Sequence, residues 1–424
     1  VSNYPLCTPM RGMLMTGMHP LYNGTWKNDL PLLPKKTDTF AEVLLENGYT
    51  TAYIGKWHLF GGSNRDLPIL PGVNRHGFQT LLTDNVTVDF SSDASFYWND
   101  RGEKVFFKDQ YKDKPWELEA QTRQVETWIE ENASKNKPFG LFVSWHPPHD
   151  FVGDGCSDVP GRQYNYDVSM LDEKLIDPYK DMDVILRADI RDIKDETLLN
   201  CRKEQYRSHM AMITACDNMF GRIVDKLKDK NQYKNTLIVF TSDHGDMLAS
   251  HNTVIPKLTP HDYSLHFPLI MSGEILKKKD TESELLIGSI DLMPTILGLL
   301  DISVKDELHG VDLSKSILEG KDDTIDYQPI FSILGSSWRG VYTKDWTYSF
   351  NLREQNQIKN GTRISEKPQK TGELETRVLF NHNDDPAQIN NLYFNEKYQS
   401  KKIALDVLVN QWVKKYGVKK LYIS

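Results

Sequence analysis

Five short stretches put reactive side chains where a fold can use them. The first is Cys7-Thr8-Pro9-Met10-Arg11-Gly12, followed by Met13-Leu14-Met15-Thr16-Gly17. Proline suits the first turn of a helix, so a helix is expected to start beside Cys7. Unpaired N–H groups and the helix dipole there favour an anionic atom. Arg11 adds a permanent cation able to hold a nucleophile or a charged substrate. The second stretch, Gly55-Lys56-Trp57-His58-Leu59, follows a strand-like run and offers an imidazole that titrates near neutrality. The third, Ser144-Trp145-His146-Pro147-Pro148-His149, holds two histidines, the second stiffened by a proline pair. In the fourth, Thr241-Ser242-Asp243-His244-Gly245-Asp246, Asp243 and His244 are metal-ligand types at a strand end. The carboxylate favours Ca²⁺ or Mg²⁺. The fifth places Lys257 eleven residues before Pro268. Taken singly, most of these have a plainer reading, such as a buried cysteine, a surface lysine or a polar loop.

The elements that must carry these residues alternate between helix and strand. Phe40 to Asn47 reads as a helix closed by Gly48, and Thr51 to Gly55 as a short strand. Glu117–Glu131 and Arg202–Leu227 read as helices, the latter with Met210, Ile213 and Phe220 near one stripe. Phe139–Ser144 and Asn235–Ser242 read as buried strands, with a short strand at Phe267–Met271 and a helix at Ile290–Leu300. This alternation predicts an α/β fold, a mostly parallel sheet sandwiched by helices. After about residue 325 short strands crowd together before a final helix near Ser400–Lys415, a small antiparallel sheet plus helix. The expected division is a catalytic domain over 1–325 and an α+β subdomain over 326–424.

In this order the five stretches resemble the signature segments of the type I, formylglycine-dependent sulfatases of the alkaline phosphatase-like superfamily. The helix Ser289–Leu297 and the segment Leu379–Pro386 extend the likeness over nearly the whole chain. The resemblance implies that Cys7 is oxidised after translation to formylglycine by a maturation enzyme. It also implies a sulfuric-ester hydrolase. Residue 7, Asp243 and His244 would ligate Ca²⁺, with Mg²⁺ possible. Arg11, Lys56 and Lys257 would bind sulfate. His149, or less well His146, would contact the substrate, and His58 would act as a base. His251, His261 and Asp262 would read the sugar of a sulfated carbohydrate or small molecule. Departures occur at Thr8 and Met10, and at His266, where the family usually has arginine. The family's Asp-Asp pair, which completes the metal site, precedes the cysteine by tens of residues. Only Val1 to Leu6 precede Cys7 here, so an N-terminally truncated sequence is expected, binding metal poorly and inactive as written. Export to the periplasm or exterior is expected, its signal lying in the missing segment. Two alternatives are a phosphonate monoester or phosphodiester hydrolase of the same superfamily, and a degenerate sulfatase-like binding protein.

Composition agrees with a soluble globular protein. The 424 residues carry a formal charge of −8, with 39% hydrophobic and 26% charged residues. An acidic balance argues against a general nucleic-acid binder. No apolar run reaches the ~18–20 residues of a membrane span. Of Cys7, Cys156, Cys201 and Cys216, the last two would lie about 22 Å apart along one helix, too far to pair. A disulfide framework is the weaker reading, and the redox compartment stays open.

Overall fold

The computed structural model describes residues 1–424 apart from 35–37, 88, 134–136, 150–170, 172, 191–192, 253–255, 277–279, 323–324, 335–336, 352–374 and 417–424. The elements that matter here are, in chain order, helices α1 (Cys7–Thr16) and α2 (Phe40–Glu46), strands β1 (Thr50–Gly55), β2 (Thr80–Leu82), β3 (Phe96–Trp98) and β4 (Lys104–Phe106), helix α3 (Glu117–Asn132), strand β5 (Phe139–Ser144), helix α4 (Glu196–Asp229), strands β6 (Ile238–Thr241) and β7 (Leu269–Ser272), helix α5 (Leu292–Leu299), strands β8 (Tyr327–Ser332), β9 (Trp338–Thr343), β10 (Trp346–Asn351) and β11 (Val378–Asn381), and helix α6 (Gln399–Lys415). Packing divides the chain into two units. One comprises Val1–Asn28, Arg187–Arg191 and Val239–Ser424, and the other Asp29–Leu186 and Asp192–Ile238.

In the second unit β1 lies between β2 and β5, parallel to both, with Thr50 opposite Phe139 and Gly55 opposite Ser144. Parallel strands joined by helices are covered on their faces, hence the apolar runs. Ala52 and Ile54 pack with Val125, Trp128 and Ile129 of α3 and Ile223 and Leu227 of α4. Helix α2 starts on a reciprocal cap, in which Thr39 accepts from the Glu42 N–H and Glu42 accepts from the Thr39 N–H. The long helix α4 begins where Asp195 accepts the Leu198 N–H at 3.0 Å. Its buried face is Ala211, Met212, Ala215, Cys216, Ile223 and Leu227. The expected stripe is therefore corrected: Ile213 is exposed, because the smaller Ala211 and Ala215 let the helix approach its neighbours.

In the first unit β8 to β11 form an antiparallel sheet of order β11-β10-β9-β8. Its core mixes both ends of the chain: Tyr4, Met10 and Met13 with Leu292, Phe331, Val341, Leu379, Val409 and Trp412. The change of character near residue 325 is thus a change of strand type within one packed unit. Cys7 and Cys216 are free thiols, whereas Cys201 is disulfide-bonded. This corrects the reading that set disulfides aside. Among the described residues no helix is long and apolar enough to cross a membrane.

Candidate active site

Helix α1 starts as the sequence predicts. Leu6 is extended and provides no side-chain cap, and the Thr8 N–H donates to Asn28 Oδ1 at 3.1 Å. The helix stops at Gly17, whose φ of 61° suits a residue without a side chain. Cys7 is buried at its N-terminus. Lys257 Nζ donates to Cys7 Sγ at 3.2 Å, and His244 Nε2 lies 3.4 Å from both the sulfur and Lys257 Nζ. His244 Nδ1 donates to the Gly245 carbonyl at 2.8 Å, which turns the Nε2 lone pair toward Cys7. Arg11 pairs with Asp243 Oδ2 at 3.2 Å, and the other Asp243 oxygen is 3.6 Å from His244 Nε2. Gly245 permits the turn: a Cβ there would meet the Tyr263 carbonyl oxygen at 2.2 Å. Burial alone would lower the pKa of Lys257, but Cys7, Asp243 and Asp246 together raise it. Residue 7 is therefore surrounded by cations and metal-ligating atoms in contact with one another, Arg11 with Asp243 and Lys257 with His244.

The ligating atoms of Cys7, Asp243 and His244 lie within 4.8 Å of one another. A carboxylate, a neutral imidazole and an oxygen placed at residue 7 fit part of a divalent cation's shell. They fall short of the ~6–8 oxygens Ca²⁺ prefers.

Lys56, His58, His146 and His149 belong to the second unit and are described there by themselves. Lys56 is buried, its N–H donating to the Ser144 carbonyl at 2.7 Å. His58 has a φ of 58°, and its Nε2 lies 3.0 Å from Asp29 Oδ1. Arg65 grips the same carboxylate through two contacts of 2.8 Å. The His58 hydrogen bond first, and Arg65 with it, hold the Asp29 carboxyl well below the usual carboxylate range. Sequence reasoning missed Asp29, because nothing in its spacing links it to His58. His149 is half-buried, and its N–H donates to the His146 carbonyl at 3.0 Å. The His146 side chain is fully enclosed and lies 2.6 Å from Glu117 Oε1.

The three residues expected to read the sugar lie in the first unit. The His251 and His261 ring centroids lie 4.5 Å apart with the planes tilted by 52°, and the His251 backbone N–H donates to Asp189 Oδ2 at 2.5 Å. Asp262 is engaged by Gln388, which donates to Oδ1 at 2.7 Å and accepts the Asp262 N–H at 2.8 Å. Another unpredicted side chain, Arg187, donates to Ser250 Oγ at 2.9 Å and lies over the Tyr263 ring at 4.0 Å.

Cys7 at a helix start, beside Arg11, Lys257 and the strand-end Asp243–His244 pair, is an arrangement suited to holding an anionic group on an α/β scaffold. The chain belongs to the sulfatase family, whose model matches residues 1–302. It is 28% identical to the ulvan-active sulfatase of Formosa agariphila over 98% of this chain and 73% of that protein. It is also 28% identical to the endo-4-O-sulfatase of Bacteroides thetaiotaomicron, over 93% of this chain and 78% of the other. Among solved structures, Bacteroides fragilis yidJ superposes with a TM-score of 0.78 at 25% identity, covering 98% of this chain and 87% of that one. The fold and the sulfatase class are those the sequence implied.

Proposed function

We propose that this protein hydrolyses the sulfate ester of a carbohydrate, with residue 7 acting as formylglycine. The observation that carries the reading is the Cys7 cluster, with its sulfur held between Lys257 and His244 and Arg11 paired with Asp243 beside it. The likeness to an ulvan-active sulfatase and to an endo-4-O-sulfatase supports a sulfated carbohydrate substrate. Asp243, His244 and residue 7 would hold a divalent cation, which when bound would polarise the sulfate, and the hydrated aldehyde at residue 7 would supply the nucleophilic oxygen.

This chain's own residues do the rest. Arg11 and Lys257, with Lys56 by the family motif, offset the charge that grows on the sulfate oxygens as the bond from sulfur to the alcohol oxygen breaks. His149 donates a proton to that leaving oxygen. His58, steadied by Asp29, accepts the proton given up as sulfate departs. One water is consumed, and the alcohol, sulfate and a proton are released. His251, His261 and Asp262 are assigned to the sugar side. The Cys201 disulfide supports maturation in an oxidising compartment, consistent with a periplasmic or secreted enzyme.

The test is Cys7→Ala in the full-length protein made with the maturation enzyme. It should abolish turnover of an aryl sulfate. Peptide mass spectrometry should find the thiol of residue 7 converted to the aldehyde. Retained turnover, or an unmodified thiol in active protein, overturns the reading. Faster hydrolysis of an aryl phosphonate than of the sulfate would move the enzyme to the phosphonate branch.

A further inference from the structure

Beneath the strand ends of the second unit lies a cluster of titratable groups that the mechanism does not use. Asp84 is 2% exposed and Glu117 is fully buried, and their carboxylates lie with the His146 ring so that one ligating atom of each falls within 4.8 Å of the others. Both Asp84 oxygens and Glu117 Oε2 lack a hydrogen-bond partner. The Thr87 N–H donates to His146 Nε2 at 3.3 Å, so the ring proton sits on Nδ1 and goes to Glu117 Oε1 at 2.6 Å. Gln121 donates to that same oxygen at 3.1 Å.

The backbone around these side chains joins the two loops that carry the proposed machinery. Asn85, next to Asp84, accepts the N–H groups of Trp57 and His58 on its carbonyl at 2.9 and 3.0 Å. The His146 carbonyl accepts the His149 N–H. Any tilt of the Asp84–Thr87 segment or of the His146 ring is therefore passed to His58 and His149. A misplacement of about 1 Å at such groups can cost about a hundredfold in rate.

Charge decides what the cluster holds. With His146 neutral, the cation among the described residues that acts on both acids is Lys56, opposed at Glu117 by the charge of Asp89. One ammonium balances one carboxylate, and a second buried carboxylate would be left uncompensated. A divalent cation would overshoot in the other direction. We propose that the Asp84 and Glu117 carboxyls hold one proton and one negative charge in total and, through His146 and Asn85, are positioning residues that fix the Lys56–His58 loop and His149. Desolvation first pushes the two carboxyls up, to about 7 and about 8, which suits a pair that still holds a proton at neutral pH. Loss of that proton would leave a second negative charge beside Lys56 and disturb the loop.

The proposal rests on the sulfatase mechanism above, and the test separates the two. In full-length matured protein, kcat on an aryl sulfate should fall on the alkaline side of about pH 8. Asp84→Asn and Glu117→Gln should abolish that limb, because a second buried negative charge can no longer form, with KM within about threefold. Glu117→Ala should lower kcat about ten- to a hundredfold. An inactive Cys7→Ala with the limb retained in both amide variants overturns the network alone. An active Cys7→Ala overturns the mechanism. If the variants fail to fold, the wild type decides by infrared: a protonated-carboxyl carbonyl band near neutral pH, lost in alkali, is expected, and its absence overturns the proposal. A second tightly bound metal ion per chain that disappears in Asp84→Asn overturns it as well.

Discussion

At the scale of single residues, charge placement matters more than residue count. Lys257 is buried and donates to Cys7, so Lys257→Met removes both a hydrogen bond and a cation beside the proposed nucleophile position. The expected loss is about a hundred- to a thousandfold in kcat on an aryl sulfate, typical of a removed anion-stabilising donor. Asp29 is the orienting partner of His58. Asp29→Asn should lower kcat about tenfold or more while KM changes little, because the imidazole loses the group that fixes its tautomer. Steady-state kinetics on the two variants checks both. A different pair of histidines sets the acid limit of stability. Burial first, and then His309, lowers the pKa of His19 to about 3. Burial first, and then His251, lowers that of His261 well below its ordinary value. In the unfolded chain both protonate near pH 6.5, so below about 6.5 the unfolded state binds protons that the folded state does not. Stability should therefore fall from about pH 6.5 downward, for His19 until about pH 3. Urea melts at several pH values read this directly, and a flat profile between about pH 7 and 5 would contradict it.

At the scale of elements, each site residue is a consequence of how a helix starts or a strand ends. Pro9 and Gly17 bracket α1, and the β6 strand delivers Asp243 and His244 just past its last residue, Thr241. Gly245 is the hinge of that delivery. Its Cβ would collide with the backbone oxygens of Tyr263, at 2.2 Å, and His266, at 2.7 Å, neither of which is a flexible side-chain tip. Gly245→Ala is expected to lower Tm by several degrees and to lower metal content together with activity, since the strand end must shift to relieve the contact. Calorimetry and metal analysis of the variant test this, and an unchanged Tm would show that the loop relaxes without cost. Gly17→Ala, at φ 61°, should cost about 1 kcal/mol without touching the chemistry.

At the scale of the whole molecule, α6 and the antiparallel sheet belong to the same core as the nucleophile helix. Trp412 is 1% exposed and packs with Met10, Met13 and Phe331, and its indole donates to the Gly340 carbonyl at 3.1 Å. Trp412→Ala should cost about 3–5 kcal/mol. Deleting the chain from Gln399 onward should unfold the first unit and abolish activity, although the residues matching the family model, 1–302, remain. Far-ultraviolet circular dichroism with activity on the truncated protein decides this. A folded, active product would show the C-terminal sheet to be an accessory.

What the sequence by itself determined is local. Cys7, Pro9 and Arg11 announce a helix start with a nucleophile position, because proline and the unpaired N–H groups act within one turn. The strand before Asp243-His244 is legible because a buried parallel strand must be a continuous apolar run. Periodicity also found α3 and α4 and the change of strand type near residue 325. It misjudged the buried face of α4, where Ala211, Met212 and Ala215 are buried and Ile213 is exposed. Tertiary structure alone decided which distant groups share a charge. Asp29 with His58, Lys257 with Cys7, and Asp84 with Glu117 and His146 are pairings across 29, 250 and up to 62 positions of sequence. No local propensity encodes them. They arise because burial raises the cost of an uncompensated charge, and groups this far apart in sequence meet only when the chain has closed around them.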